Sequence, residues 1–279
     1  MPDMGLGENL AIAVIVSAII LIIGRSRLTK KHYRLIEIGE DNSLGHEETQ
    51  KNDAAAAEAA WGTLAVLAAG LGKTQAAKTG AFLTVRTFVD LFTTFDPSTN
   101  LAYFFNQAVG QSNRKILEHL PGVRTAVMFV AALINEGRLY YVSVGDIVIA
   151  VMRQGKLIRV NEGHTMETLA AKGFLQGRLT REQALTMSKI DRHTNYLGRD
   201  GFKNLESGIP EPIELIGGDI IILMTNGLYK CLAWREMETI LEKPLSCPEL
   251  AGKIIAAFDQ KEKADKKSAS LLVLRYKGL

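Results

Sequence analysis

Two apolar runs of this chain end in glycine-containing turns, Leu64-Ala65-Val66-Leu67-Ala68-Ala69-Gly70-Leu71-Gly72 and Ile220-Ile221-Ile222-Leu223-Met224-Thr225-Asn226-Gly227-Leu228. Val142-Ser143-Val144-Gly145-Asp146 lies between them. Turns at strand ends can hold a hard dication through carboxylates or a phosphate through backbone N–H groups, so the residues at the turns decide the chemistry. Neither run carries an acid at its turn. Gly72-Lys73-Thr74 imitates a phosphate-binding loop, but that loop needs glycine at position 67, which is Leu67, and an acid for Mg²⁺ after the second run, where Thr225-Asn226 stands. Cys231 and Cys247 have no nearby His or Cys partners, which argues against both a zinc site and a disulfide framework. They read as buried small hydrophobes in a reducing compartment.

The 279 residues are 47% hydrophobic and 23% charged, an ordinary globular balance. A net charge of +3, with no Lys/Arg stripe interleaved with aromatics, argues against a nucleic-acid partner. Leu10 to Gly24 is uncharged and apolar but for Ser17; Asp3 and Glu8 precede it, and Arg25, Arg27, Lys30, Lys31 and Arg34 follow. A cleaved leader would show the opposite charge order. Residues 10–24 are therefore expected to form a single-pass membrane anchor, with the basic side and everything after it cytoplasmic. The expected domains are 1–31, anchor and basic juxtamembrane segment, and 32–279, one globular domain.

Within that domain Tyr33 to Ile38 alternates as a strand, followed by a polar stretch from Gly39 to Asp53 and an alanine run at 54–57. Thr63 to Ala68 reads as a buried strand, followed by a helix to about Phe95, stopped by Asp96-Pro97, and a second helix from Leu101 to Leu120. Strands are expected at 125–134, 139–144, 147–152 and 157–160 as one antiparallel meander. Short helices near 166–174 and 180–188, strands at 212–216 and 219–225, helices at 234–242 and 248–260 and a last strand at 269–276 complete the pattern. Gly145-Asp146 and Gly218-Asp219 read as ordinary hairpin-turn residues.

Five collinear places then resemble the signatures of the PPM-type metal-dependent Ser/Thr phosphatases (protein phosphatase 2C-like): Asn52-Asp53-Ala54, Ala69-Gly70-Leu71-Gly72, Gly145-Asp146, Gly218-Asp219 running into Thr225-Asn226-Gly227-Leu228, and Lys267-Ser268-Ala269-Ser270. The segment Ile158 to His164 adds support. The resemblance spans about residues 33–276. It implies an α+β fold, a four-layer α-β-β-α sandwich of two antiparallel sheets flanked by helices, here preceded by one transmembrane helix.

The resemblance also implies two Mg²⁺ or Mn²⁺ ions held by carboxylates, with a bridging water that attacks the phosphoester. Carried over by motif, one ion would use acids at positions 69, 226 and 267, where this chain has Ala69, Asn226 and Lys267. The second would keep Asp53 and the Gly70 carbonyl. A unit charge pair about 4 Å apart is worth about 4 kcal/mol at an effective dielectric near 20, so a lysine at a ligand position strongly disfavours a cation. Lys267 is expected to pair with Asp53 instead. The family's phosphate-contacting arginine falls on Glu48, a reversal of sign.

No catalytic residue is therefore expected. Asp53, Gly70 and Asp146 are a pocket remnant, no metal or other cofactor is expected, and Asp53 and Gly70 are the residual candidate ligands. The expected function is that of a pseudophosphatase, a signalling or regulatory module that binds a protein, such as a phosphoprotein or kinase, through the flap-like segment Leu169 to Asp200. One alternative is an active Ser/Thr phosphatase with a non-standard Mg²⁺ or Mn²⁺ site using Asp53, Asp146, Asp219 or Asp265. The other is a structural scaffold of a membrane complex.

Overall fold

The computed structural model describes residues 35–46, 52–72, 75–97, 100–123, 125–190, 193–202, 209–262 and 267–278. The apolar run 10–24 and the anchor expected there lie outside the described residues. Among the described residues no helix is long and apolar enough to cross a membrane.

Ten strands form two antiparallel five-stranded sheets. One has the order β1 (Ile36–Ser43), β10 (Ala269–Tyr276), β9 (Ile220–Thr225), β6 (Ile147–Arg153), β7 (Lys156–Arg159). The other has the order β2 (Asn52–Ala59), β3 (Gly62–Leu71), β4 (Ala126–Asn135), β5 (Arg138–Val144), β8 (Ile213–Glu214). β3, β4, β6 and β9 are continuous apolar runs because both of their faces are covered. Leu64, Val66 and Ala68 of β3 pack under α1 (Gln75–Thr94) and α2 (Leu101–His119), against Phe88, Phe92, Phe104 and Phe105. By alternation Ala65, Leu67 and Ala69 turn to the opposite face of the sheet.

The second helix layer covers the first sheet. Val148, Ala150, Ile222 and Met224 pack with Met237 of α6 (Trp234–Leu241) and with Leu250, Ile254 and Phe258 of α7 (Cys247–Asp259). Ser246 caps α7: Glu249 N–H donates to its hydroxyl, and the Glu249 carboxylate accepts from the Ser246 N–H. α3 (Met166–Leu175) and α4 (Arg181–Ser188) stand between β7 and β8 in the chain, and the single turn α5 (Asn226–Tyr229) follows β9 directly.

Two expectations need correction, and the alanine run, left without an element, is assigned one. The meander over 125–160 does not exist as one sheet: β4 and β5 belong to one sheet and β6 and β7 to the other, so Gly145-Asp146 carries the chain between sheets rather than through a hairpin. Local pattern cannot reveal this, because β5 and β6 are joined like a hairpin in sequence yet take long-range partners, β6 pairing with β9. The first strand runs later than expected, through Ser43, since β10 supplies partners as far as Ser43↔Ala269. The alanine run belongs to a strand, β2, held by its register against β3 from Asn52↔Ala69 to Ala59↔Gly62.

Candidate functional site

Strand register brings the start of β2, the end of β3, the end of β9 and the start of β10 to one end of the domain. Asn52 faces Ala69 across the β2–β3 ladder. The Asn52 side-chain amide donates to Ser270 Oγ at 3.1 Å, tying the two sheets, and Ser270 N–H donates to Thr225 Oγ1 at 3.1 Å. A Cβ on Gly227 would lie 2.1 Å from the Ser268 carbonyl oxygen and 3.3 Å from that of Lys267, so the Asn226-Gly227 turn rests on the strand entrance carrying Lys267. On the other sheet, a Cβ on Gly70 would lie 2.2 Å from the Ala77 carbonyl oxygen, a position only glycine can hold beneath the first turn of α1.

The structure thus gathers positions 69, 226 and 267 at one end, but not with the charges that a dication requires. The Ala69 methyl has no donor atom, Asn226 offers a neutral amide, and exposed Lys267 adds a cation. Asp53 sits opposite Ala68, not Ala69, and Ala68 belongs to the core under α1. The alternation of a strand therefore places Asn52 on the face of Ala69 and Asp53 on the other. Burial raises the Asp53 carboxyl above its ordinary value, while the Ala54 N–H and Lys78 of α1 partly counter it. No ion pair joins Asp53 to Lys267 among the described residues, so the expected pairing does not form. Among the described residues no group of three His, Cys, Asp or Glu side chains could hold a metal ion. Among the described residues the donor set does not fit a dinuclear centre. Glu48 and Asp265 lie outside the described residues.

Charge collects instead around Asp146, which is 2% exposed. The Tyr229 hydroxyl donates to Asp146 Oδ1 in a short hydrogen bond, and Lys230 Nζ lies 3.0 Å from Oδ2. The Arg159 guanidinium stands 5.6 Å from the centre of the Tyr229 ring. Burial alone would push the Asp146 carboxyl up; Tyr229, Lys230 and His193 outweigh it and hold the carboxyl below the usual carboxylate range. Burial and the adjacent Asp146 carboxylate push the Tyr229 hydroxyl far up, which keeps it a donor. Next to this cluster Gly145 N–H donates to His164 Nδ1 at 3.0 Å, so the neutral ring carries its proton on Nε2. Burial lowers the His164 pKa. Beyond His164 opens a cavity of about 520 Å³, walled by Tyr141 to Val144, the chain from Val160 to Thr165, the inner side of α3 and residues of 194–202.

Sequence reasoning quoted Asn52 and Arg159 only as members of motifs, without a role, and missed Tyr229 and Lys230. The only trace of those two was their place in Asn226-Gly227-Leu228-Tyr229-Lys230, one helical turn past a strand end.

No protein-family model and no curated protein sequence matches the chain. Solved structures do. A serine/threonine phosphatase of S. agalactiae is similar with a TM-score of 0.73 at 19% identity, over 86% of this chain and 99% of that one. The catalytic domain of the serine/threonine phosphatase PstP, solved in complex with two manganese ions, is similar with a TM-score of 0.69 at 19% identity, over 86% and 97%. The PPM Ser-Thr phosphatase MsPP of Mycobacterium smegmatis, solved with cacodylate, gives 0.65 at 16% identity, over 85% and 97%. Two antiparallel sheets flanked by helices, matched over nearly the whole length of these proteins, give the chain the fold of the PPM-type Ser/Thr phosphatases.

Proposed function

We propose that this chain is a membrane-anchored pseudophosphatase: a PPM-type domain at residues 32–279 that binds a protein partner and does not hydrolyse phosphoesters. The observation that carries this is the donor set where strand ends meet, with Ala69, Asn226 and Lys267 at one end of the domain and Asp53 turned toward α1. Catalysis by a metal pair needs a bridged pair of ions, and no acid stands at the bridging position. The partner is a phosphoprotein or a kinase, met through the segment Leu169 to Asp200, where Leu169, Phe174, Leu175, Leu185 and Ile190 are exposed. The anchor at residues 10–24 places the domain on the cytoplasmic face of the cell membrane.

The test is Mn²⁺-dependent hydrolysis of an aryl phosphate and a phosphopeptide by the full chain, beside an Ala69→Asp, Asn226→Asp, Lys267→Asp triple variant. The native chain is expected to be inert at all Mn²⁺ concentrations, and the variant to bind Mn²⁺. Turnover by the native chain would make it an active phosphatase with a rebuilt site and end the proposal.

A further inference from the structure

We propose that the outer edge of β2 takes up an extended, basic segment of a protein partner as an added strand, with a Lys or Arg at each end of that segment facing Asp53 and Glu58. This surface is separate from the segment Leu169 to Asp200 and independent of whether a metal binds at positions 69, 226 and 267.

The two sheets have four edge strands, β1, β7, β2 and β8, and β2 is the least guarded. β8 is two residues long, and β7 is four and carries Lys156 and Arg159. β1 has α7 seated on it so closely that a Cβ on Gly39 would lie 2.2 Å from the Cys247 carbonyl carbon. Short strands, basic residues and covering elements keep sheet edges from pairing. β2 runs for eight residues without Lys, Arg or Pro, its register against β3 is unbroken, and among the described residues β3 is its only partner in the sheet.

The backbone at this edge has a definite phase. The two-residue turn Ala60-Trp61 closes on Ala59↔Gly62, a hydrogen-bonded pair. Asp53, Ala55 and Ala57 therefore bond to β3, while Ala54, Ala56 and Glu58 direct their N–H and C=O groups outward. The Ala54 N–H meets the Asp53 carboxylate, as this phase allows. The N–H groups of Ala56 and Glu58 have no partner among the described residues.

The side chains choose the occupant. Asp53 lies on the α1 face of the sheet and Glu58, five positions on, lies on the other. Burial raises both carboxyls; Lys78 counters this only in part at Asp53, and no ion pair reaches Glu58 among the described residues. Two copies of this chain joined through β2 would gather Asp53 and Glu58 of both at a seam with no Lys or Arg on either strand. A segment with basic residues five positions apart instead brings an opposite charge to each acid. Between the acids, Ala54 to Ala57 leave room for the side chains of the incoming strand. Phe82, 51% exposed and one turn past Lys78 on the same side of α1, offers them an apolar contact.

The probe is a labelled hexapeptide, Lys-Thr-Val-Val-Thr-Lys, blocked at both ends; it reads the same in either direction and so serves parallel and antiparallel addition alike. Glu-Thr-Val-Val-Thr-Glu is the control. The basic peptide is expected to bind the full chain saturably in fluorescence anisotropy and to slow hydrogen exchange of the Ala56 and Glu58 amides about tenfold. Ala56→Pro removes an outward N–H that the ladder to β3 does not use, and should abolish binding while the melting temperature is kept. Glu58→Lys should weaken binding about fivefold, as an attraction becomes a repulsion. Unchanged exchange at Ala56 and Glu58 overturns the proposal, as does undiminished binding to a folded Ala56→Pro or to Glu58→Lys. Equal binding of the acidic peptide overturns the basic partner, and protection of both amides that rises with protein concentration alone gives the edge to a second copy and overturns it too.

Discussion

The two Gly-Asp pairs at opposite ends of one sheet, Gly145-Asp146 and Gly218-Asp219, have the same residues and equally buried aspartates, and do different work. Both glycines have positive φ, +92° and +95°, and both aspartates are 2% exposed. β6 and β9 run between them, from Ile147↔Thr225 to Met152↔Ile220. Asp219 is closed: Arg153 donates to it through Nε at 3.0 Å and Nη2 at 2.6 Å, Ile216 N–H donates at 2.9 Å, and Arg153 Nη2 also reaches the Glu214 carbonyl at 2.7 Å. Asp146 meets a phenol and the point charge of a half-exposed lysine, with Arg159 stacked behind the phenol. A rigid fork fixes geometry; a lysine on a flexible stem mainly neutralises charge. Gly218-Asp219 is a structural clamp, and Gly145-Asp146 is a charge centre.

The clamp should be the costlier to break. Asp219→Ala strands the Arg153 fork and the Ile216 N–H, an expected loss of about 3 kcal/mol, or about 6–12 °C in melting temperature for a domain of this size. Arg153→Ala should cost a similar amount, and the double variant little more than either alone. Additive losses in thermal unfolding would mean that the two side chains act separately.

Asp146→Ala should cost less, about 2 kcal/mol, because Lys230 can return its ammonium to water and chiefly the Tyr229 hydroxyl is left unpaired. The pH dependence carries the sign. The folded carboxyl lies below its ordinary value of 3.8, so Asp146 contributes stability above that value and loses it as pH falls through the depressed one. The gap between native chain and Asp146→Ala, read by denaturant unfolding, should be full at pH 6 and shrink below about pH 4. A gap that does not change with acid would show that the carboxylate charge does not matter there.

These contrasts also mark what the sequence can carry. Ile220 to Thr225 and Thr63 to Ala68 were legible as buried strands because both faces are covered, leaving unbroken apolar runs. The motif positions were legible as well, since Ala69, Asn226 and Lys267 stand at strand ends whatever partners they find. Partner choice was not. Nothing local distinguishes an Asp146 that crosses between sheets from one in a hairpin, or shows that Arg153 will fork onto Asp219, 66 positions away, while Lys230 goes to Asp146. Asp53 is the sharpest case. A one-residue choice of register decides which of Asn52 and Asp53 shares the face of Ala69, and that register is written in the β2–β3 pairing.

Asp53 therefore gives the smallest effect and the opposite sign. Burial raises its folded carboxyl above the ordinary value of 3.8, with Lys78 only partly countering this. The folded state then binds more protons than the unfolded one between those two values, so stability falls as pH rises through them and the charged side chain weakens the fold at neutral pH. Asp53→Asn should raise the melting temperature at pH 7 by about 2 °C at most, an advantage that disappears below the ordinary carboxylate value. Lys78→Gln should lower the melting temperature of the native chain slightly and leave that of Asp53→Asn unchanged. If Asp53→Asn is instead destabilised at pH 7, the carboxylate has a favourable partner in the folded chain. Asp53 would then belong with Asp146 as a working charge, not with the acids that the fold merely tolerates.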